Sequence, residues 1–455
     1  MPIVSINPAN GQEIKTYPTL TIEDTFKKID QTQNAWASWR RSSHETRSTY
    51  LNNMAGVLRK RSQELAILMA TEMGKPVSQG LAEVEKCAEC CAYYAAEGPV
   101  HLADRIIETE ASKSYASFQP LGIVLAVMPW NFPLWQVFRF LAPALAAGNC
   151  GVLKHASNVP GCALIIEDIV QEAGFPPHVF QTLLISSNLV NQVIEHPAIR
   201  AVTLTGSNNA GIQVAGKAGS VLKKVVLELG GSDAYVVLAD ADLELAAATC
   251  VDSRLINSGQ SCIAAKRFIV VEPVAEAFIK LFLDAMQRKV LGDPLDRSTD
   301  VGPQARADLR DELHAQVLKS IEKGATCILG GTIAAGNHAY YPPTILTNVK
   351  PGMPAYDEEL FGPVASIILA KDEADALRIA NDSEFGLGSA VFTRNTIRGE
   401  QIARFELDAG SSYVNERVKS DPRLPFGGIK HSGYGRELSS FGILEFVNIK
   451  TVYIK

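Results

Sequence analysis

Leu121-Gly122-Ile123-Val124-Leu125-Ala126-Val127-Met128-Pro129-Trp130-Asn131-Phe132-Pro133 decides the fold. Residues 121–128 are apolar without alternation, as a strand buried on both faces must be, and the prolines then stop the run. Residues 133–146 continue as a helix beginning with proline, and 150–154 return to an apolar strand. The alternation persists. Residues 159–173 read as a helix closed by Gly174 and two prolines, 179–184 and 201–204 as strands, and the following helix runs to about 218. Strands of this kind separated by helices imply a parallel sheet covered on both faces.

The same pattern resumes beyond Glu228. Strands are predicted at 234–238 and 267–271, and helices at 243–256 and 274–289. This makes a second α/β unit, with Glu228 near the junction where clefts form. Upstream, Thr21-Ile22-Glu23-Asp24 starts a helix over 25–40, and one long helix is predicted over 45–74. Residues 112–118 and 448–454 alternate polar and apolar positions like half-solvated edge strands. The fold class is α/β, with two doubly wound parallel-sheet units.

Composition narrows the function. The chain has 455 residues, 47% hydrophobic and 20% charged, with net charge −6. That length suits two or three domains with self-sufficient cores. The charge and the lack of a dense basic cluster argue against nucleic-acid partners. No apolar stretch approaches the roughly 18 residues of a membrane span, and Met1-Pro2-Ile3-Val4 lacks the features of a secretory signal. The expectation is a cytoplasmic protein with no membrane partner. Its eight cysteines lack regular paired spacing and read as reduced thiols. Cys87-Ala88-Glu89-Cys90 falls within a helix predicted over 79–97 and has no second pair to make a zinc site, so no metal is expected.

Cys262 stands apart. It ends Asn257-Ser258-Gly259-Gln260-Ser261-Cys262, a polar, glycine-bearing segment after a helix. Partial exposure among backbone N–H dipoles would lower its pKa and make it a nucleophile. In Leu227-Glu228-Leu229-Gly230-Gly231 one carboxylate lies in apolar surroundings, where burial raises its pKa toward that of a general base. Asn131 offers an amide for an oxyanion where a strand meets a helix. No histidine accompanies the cysteine. Nucleophile, base and amide together indicate covalent chemistry at a carbonyl.

Three further groups of residues have more than one reading. Gly206-Ser207-Asn208-Asn209-Ala210-Gly211 opens a helix after a strand; it either receives a phosphate or is a plain turn, and it is neither a P-loop nor GxGxxG. Lys154 and Ser157 lie past a strand end, where α/β sheets bind ligands; alternatively Lys154 is solvated and Ser157 caps the next helix. Trp135 and Arg139 follow Asn131 at intervals of four and share one helix face. An arginine in so apolar a helix needs a partner, either a substrate anion or a structural carboxylate.

In order and spacing these motifs resemble the aldehyde dehydrogenase superfamily over essentially the whole chain. Ile6-Asn7-Pro8-Ala9, Lys154-His155-Ala156-Ser157, Thr205-Gly206-Ser207, Glu359-Leu360-Phe361-Gly362-Pro363 and Pro425-Phe426-Gly427-Gly428 join those above. Among its members the chain is most similar to NADP-preferring succinate-semialdehyde dehydrogenases. The resemblance implies Cys262 as nucleophile, Glu228 as base, Asn131 as oxyanion donor, and a thiohemiacetal followed by a thioester. It implies a dinucleotide held by Trp130, Lys154, Ser157, Gly206, Ser207, Gly211, Leu229, Glu359 and Phe361. Serine at 157, where NAD-preferring members often carry glutamate, implies NADP, with NAD less favoured. Trp135, Arg139 and Ser420 would bind the substrate; a second arginine found in some relatives is here Ile256. The implied domains are 1–109 with 125–229 for the dinucleotide, 230–430 for catalysis, and 110–124 with 431–455 as a small oligomerisation sheet giving a dimer or tetramer. Another short aldehyde as substrate, a non-catalytic binding protein and a cofactor-independent hydrolase are the alternatives.

Overall fold

The structure, a computed structural model, describes residues 2–333 and 338–455. Its first sheet has six strands in the order Gly433–Tyr434, Lys224–Glu228, Ile199–Thr205, Ile123–Met128, Cys150–His155 and Phe180–Thr182. All pair in parallel except Gly433–Tyr434. That antiparallel strand belongs to this sheet although residues 431–455 were expected to serve oligomerisation. It is only two residues long, too short for any periodicity to show.

The second sheet has seven strands: Thr326–Leu329, Thr344–Thr347, Val364–Ala370, Arg267–Val271, Ala234–Val237, Gly388–Phe392 and Ser411–Val414. Only Thr326–Leu329 runs antiparallel. Along Ala234–Val237 the side chains alternate between two cores, Ala234 and Val236 on one face and Tyr235 and Val237 on the other. Burial on both faces is why the strand is apolar throughout. A third, three-stranded antiparallel sheet pairs Val447–Ile454 with Lys113–Pro120 over its whole length and adds Arg105–Ile106.

Two predicted helices differ from those observed. The helix over 45–74 is two helices, His44–Lys60 and Ser62–Met73, interrupted at Arg61 (φ −97°, ψ 9°). Leu51, Met54 and Leu58 before the break and Leu65, Met69 and Met73 after it are all buried, so the apolar pattern runs through it. The helix predicted from Pro133 starts at Trp135. Glu83, from the helix Val77–His101, accepts hydrogen bonds from the N–H groups of Leu134 and Trp135 through Oε1, both at 2.9 Å. A carboxylate from a neighbouring helix sets the start, in place of a local cap. Cys87 and Cys90 are buried in that same helix, as predicted.

Candidate active site

Glu228 ends one strand, Thr205 ends its neighbour, and Pro129-Trp130-Asn131 follows a third. Lys154 lies at the end of a fourth. These carboxyl ends form one edge of the first sheet, the usual ligand edge of a parallel sheet. Against it the second unit places the loop after the helix Leu243–Leu255, which carries Cys262.

That loop has an unusual backbone. Asn257, Ser258 and Gly259 all have positive φ (52°, 56° and 78°). Two such non-glycine residues in succession are costly and persist only where their surroundings hold them. Asn257 N donates to Gln79 Oε1 at 2.6 Å, and Asn257 Nδ2 donates to the carbonyls of Asn131 (2.6 Å) and Gln260 (3.0 Å). Ser258 Oγ accepts from Gly302 N, and Arg254 reaches up from below to the Gly259 carbonyl. A Cβ on Gly259 would stand 2.2 Å from the Gly362 carbonyl, so glycine is required for space as well as for φ. The contact joins the cysteine loop to the Glu359–Pro363 motif.

Cys262 is partly exposed, whereas Cys250 on the preceding helix is buried. Its thiol departs from the sequence expectation: burial pushes it up to about 12, against the pull of Arg139 and then Lys266. The polar residues before it do not serve the thiol. Asn257, Ser258, Gln260 and Ser261 are buried, and their polar groups are bonded to or packed within the scaffold. Asn131 Nδ2 donates one hydrogen to the Gln260 carbonyl at 3.1 Å, which places the amide two residues from the cysteine.

Glu228 is 1% exposed, and neither carboxylate oxygen has a hydrogen-bond partner among the described residues. Burial raises its pKa to about 8; Arg139 opposes the rise, Glu437 adds to it and Arg436 opposes it. A Cβ on Gly427 would approach Glu228 Oε1 to 2.8 Å, so the Pro-Phe-Gly-Gly turn roofs the carboxylate at close range. Such burial suits a carboxylate to general-base work.

Arg139 lies inside the fold. It is 1% exposed and ion-paired through Nε with Glu437, which lies near the other end of the chain. Its Nη2 is 3.3 Å from Thr205 Oγ1, and its guanidinium stacks 4.7 Å from the Phe426 ring centroid. One partner of Arg139 is therefore the carboxylate of Glu437. Trp135 and Ser420 do meet: Trp135 Nε1 donates to Ser420 Oγ at 3.0 Å.

Lys266 is a residue the sequence reading missed. Its buried ammonium donates to the carbonyls of Ser261 (2.9 Å) and Cys262 (2.7 Å) and pairs with Glu359 Oε1 at 3.2 Å. Glu359 also accepts from Gly231 N at 3.1 Å. One lysine thus clamps the cysteine loop to the Glu359 motif. A lysine four residues past the cysteine, before a buried strand, was the available signal.

The expected dinucleotide residues fall into groups. Lys154 and Ser157 line a cavity of about 620 Å³ together with Asn158, Ser186 and Ser187. Among the described residues no carboxylate lies within 4.0 Å of Lys154 Nζ, and burial lowers its pKa. Ser157 does not cap the helix Pro160–Glu172; Val159 holds that position, and Glu72 accepts the N–H groups of Gly161 and Cys162. Ser207 is the N-cap of Asn208–Ser220, accepting from Ala210 N. Gly211 is required for packing, since a Cβ there would stand 2.6 Å from Leu229. Trp130 and Phe361 meet edge to face at 5.8 Å, beside the cysteine loop. A cationic cavity, an open helix N-terminus and an aromatic pair fit a nicotinamide dinucleotide.

A family model described as aldehyde dehydrogenase family matches residues 1–452. A probable succinate-semialdehyde dehydrogenase [NADP(+)] of Synechocystis sp. is 49% identical over 454 residues, covering 100% of both chains. A succinate semialdehyde dehydrogenase [NAD(P)+] of Escherichia coli is 46% identical, covering 99% of this chain and 97% of its own. The crystal structure of the succinic semialdehyde dehydrogenase of Streptococcus pyogenes in complex with NADP+ superposes with TM-score 0.97 at 36% identity, over 99% of each chain.

Proposed function

We propose that this chain, which belongs to the aldehyde dehydrogenase family, oxidises succinate semialdehyde to succinate with NADP, accepting NAD less well. The full-length similarity to enzymes named for that substrate and cofactor supports the reading. The observation that carries the chemistry is the convergence of a partly exposed thiol, a buried unpaired carboxylate and a side-chain amide.

Ionised Glu228 takes the thiol proton as Cys262 Sγ bonds to the aldehyde carbon and the carbonyl π pair moves to oxygen, forming the thiohemiacetal anion, and Glu228 passes that proton to solvent. The carbonyl oxygen takes up negative charge and is met by Asn131 Nδ2 and the Cys262 N–H. Bound NADP supplies the hydride acceptor, and a thioester remains on Cys262. Ionised Glu228 then removes a proton from water, which hydrolyses the thioester. Lys154 and Ser157 would hold the 2′-phosphate, Gly206 and Ser207 the pyrophosphate, and Glu359 the nicotinamide ribose. Trp130, Phe361 and Leu229, backed by Gly211, would wall the ring side. Trp135 and Ser420 line the far end of the substrate.

The protein works as a homo-oligomer, dimer or tetramer, in the cytoplasm. Ile106, Ile449 and Tyr453, exposed on the three-stranded sheet, support self-association. Free cysteines support a reducing compartment, and among the described residues no helix is long and apolar enough to cross a membrane. The test is the absorbance of reduced nicotinamide when the purified protein meets NADP and a panel of aldehydes. Succinate semialdehyde should give the highest kcat/KM, and Cys262→Ala should abolish turnover while still binding NADP. Wild-type rates in that variant would overturn the mechanism.

A further inference from the structure

His155 ends the strand Cys150–His155, next to Lys154 and two residues before Ser157. Its register partner on the neighbouring strand is Met128, which leads into Pro129-Trp130-Asn131. The imidazole is buried. Its Nε2 lies 2.9 Å from the Pro133 carbonyl, and the Ala156 N–H meets its Nδ1 at 2.8 Å. A carbonyl can only accept and a main-chain N–H can only donate, so Nε2 carries the hydrogen and Nδ1 the lone pair. Burial pulls the ring's pKa down to about 4, in keeping with this neutral tautomer.

Each of these bonds ends on a different functional segment. The Pro133 carbonyl belongs to the irregular turn that carries Asn131. Buried side chains of other elements grip that turn elsewhere: Asn257 donates to the Asn131 carbonyl, and Glu83 accepts from the N–H groups of Leu134 and Trp135. His155 adds a grip from the first sheet. The Ala156 N–H belongs to a second turn, in which Val159 N donates back to the Ala156 carbonyl at 3.3 Å. That turn carries Ser157, which lines a cavity with Lys154. A histidine that only filled space would need neither nitrogen placed. Here both are spent on main chain, one on each turn.

We propose that His155 is a positioning residue that fixes two geometries, one through each ring nitrogen: Asn131 against Cys262, and Ser157 against the 2′-phosphate of the cofactor. This rests on the functional reading above, which assigns the oxyanion to Asn131 and the phosphate to Lys154 and Ser157.

The two nitrogens can be removed separately. His155→Gln carries an amide nitrogen as many bonds from the main chain as Nε2, and nothing at Nδ1. His155→Asn carries an amide oxygen in the place of Nδ1 and lacks the reach to Pro133. His155→Phe keeps a ring and loses both bonds. For each, fluorescence gives Kd for NADP and NAD, and kcat is measured with saturating NADP and succinate semialdehyde. In His155→Phe kcat should fall about 10-fold or more, as misplacement of a reacting geometry does. Its preference for NADP over NAD, as a ratio of Kd values, should fall about 10-fold, the size of a weakened hydrogen bond to a charged group. His155→Gln should recover kcat without the preference, and His155→Asn the preference without kcat. A His155→Phe enzyme with wild-type kcat and preference overturns the assignment. So do Gln and Asn variants that lose both properties in equal measure with a lower melting temperature, which would make His155 a packing residue; these two variants decide the matter if His155→Phe does not fold. A wild type that binds NAD as tightly as NADP, or leaves succinate semialdehyde unoxidised, overturns the functional reading itself, and this inference falls with it.

Discussion

Asn257 Nδ2 donates to the main-chain carbonyl of Asn131 at 2.6 Å, while Asn131 Nδ2 donates to the Gln260 carbonyl at 3.1 Å. The two amides lock the cysteine loop to the turn that carries the oxyanion donor, so nucleophile and donor hold one geometry. Asn257→Ala would leave the buried Asn131 carbonyl without that donor, at a cost of about 1–3 kcal/mol, and the Gln260 carbonyl with Asn131 Nδ2 alone, at a residue already held at positive φ. We expect kcat to fall about 10- to 100-fold through misplacement of Cys262 and Asn131. NADP affinity measured by fluorescence should hardly change. An unaltered kcat would show that the loop keeps its form without the bond.

Glu228 predicts a pH signature in both rate and stability. Its carboxyl must be ionised to activate water, so kcat should rise with pH through about 8. Stability runs the other way. The folded pKa lies above the ordinary value of 4.5, so the unfolded chain releases this proton first as pH rises. The stabilisation is complete below about 4.5 and is lost progressively toward about 8. Glu228→Gln avoids the loss. Its melting temperature should match wild type near pH 5 and exceed it by a growing margin up to pH 8, while thioester hydrolysis stops. Scanning calorimetry across pH checks the sign.

The strands were legible because burial on both faces writes itself as an unbroken apolar run: 123–128 and 267–271 appear in the sequence almost as they fold. Glu228 stood out because it interrupts such a run, and Asn131 and Cys262 because each sets a reactive group in a segment that follows a strand or a helix. The pairing of Arg139 with Glu437 was not, since nothing local to either residue marks a partner so far along the chain. Glu83 was hidden for a different reason. On a 25-residue helix with many buried positions, charged residues look like its solvated face until a neighbouring helix is laid against them. The thiol environment was misjudged because polar residues beside a cysteine were assumed to serve it, whereas they hold the loop.

Arg139→Ala should now behave as the breaking of a buried ion pair. Glu437 would be left uncompensated, at a cost of about 3–5 kcal/mol. Succinate semialdehyde and butanal oxidation should decline together, and the melting temperature should drop. Arg139→Met combined with Glu437→Gln should recover much of the stability, since no lone charge remains. A selective loss for succinate semialdehyde, with stability intact, would return the arginine to the substrate pocket.

The proposed binding of the 2′-phosphate makes cofactor choice depend on Ser157, which is exposed and lines a cavity with Lys154. Lys154 has no carboxylate partner there among the described residues, so a 2′-phosphate would supply the missing charge, which a bare ribose hydroxyl cannot. Ser157→Glu places a carboxylate where that phosphate would bind. It should also draw Lys154 into an ion pair, so repulsion and the loss of the cation act together. We expect the preference for NADP over NAD, as a ratio of kcat/KM values, to fall about 30-fold, consistent with a few kcal/mol between charges near a protein surface. Because the site is open to solvent, the effect should shrink as salt is raised. Lys154→Met should weaken NADP more than NAD without introducing repulsion, and its effect should depend less on salt than that of Ser157→Glu. If neither substitution alters the ratio, the adenosine ribose does not bind at this cavity.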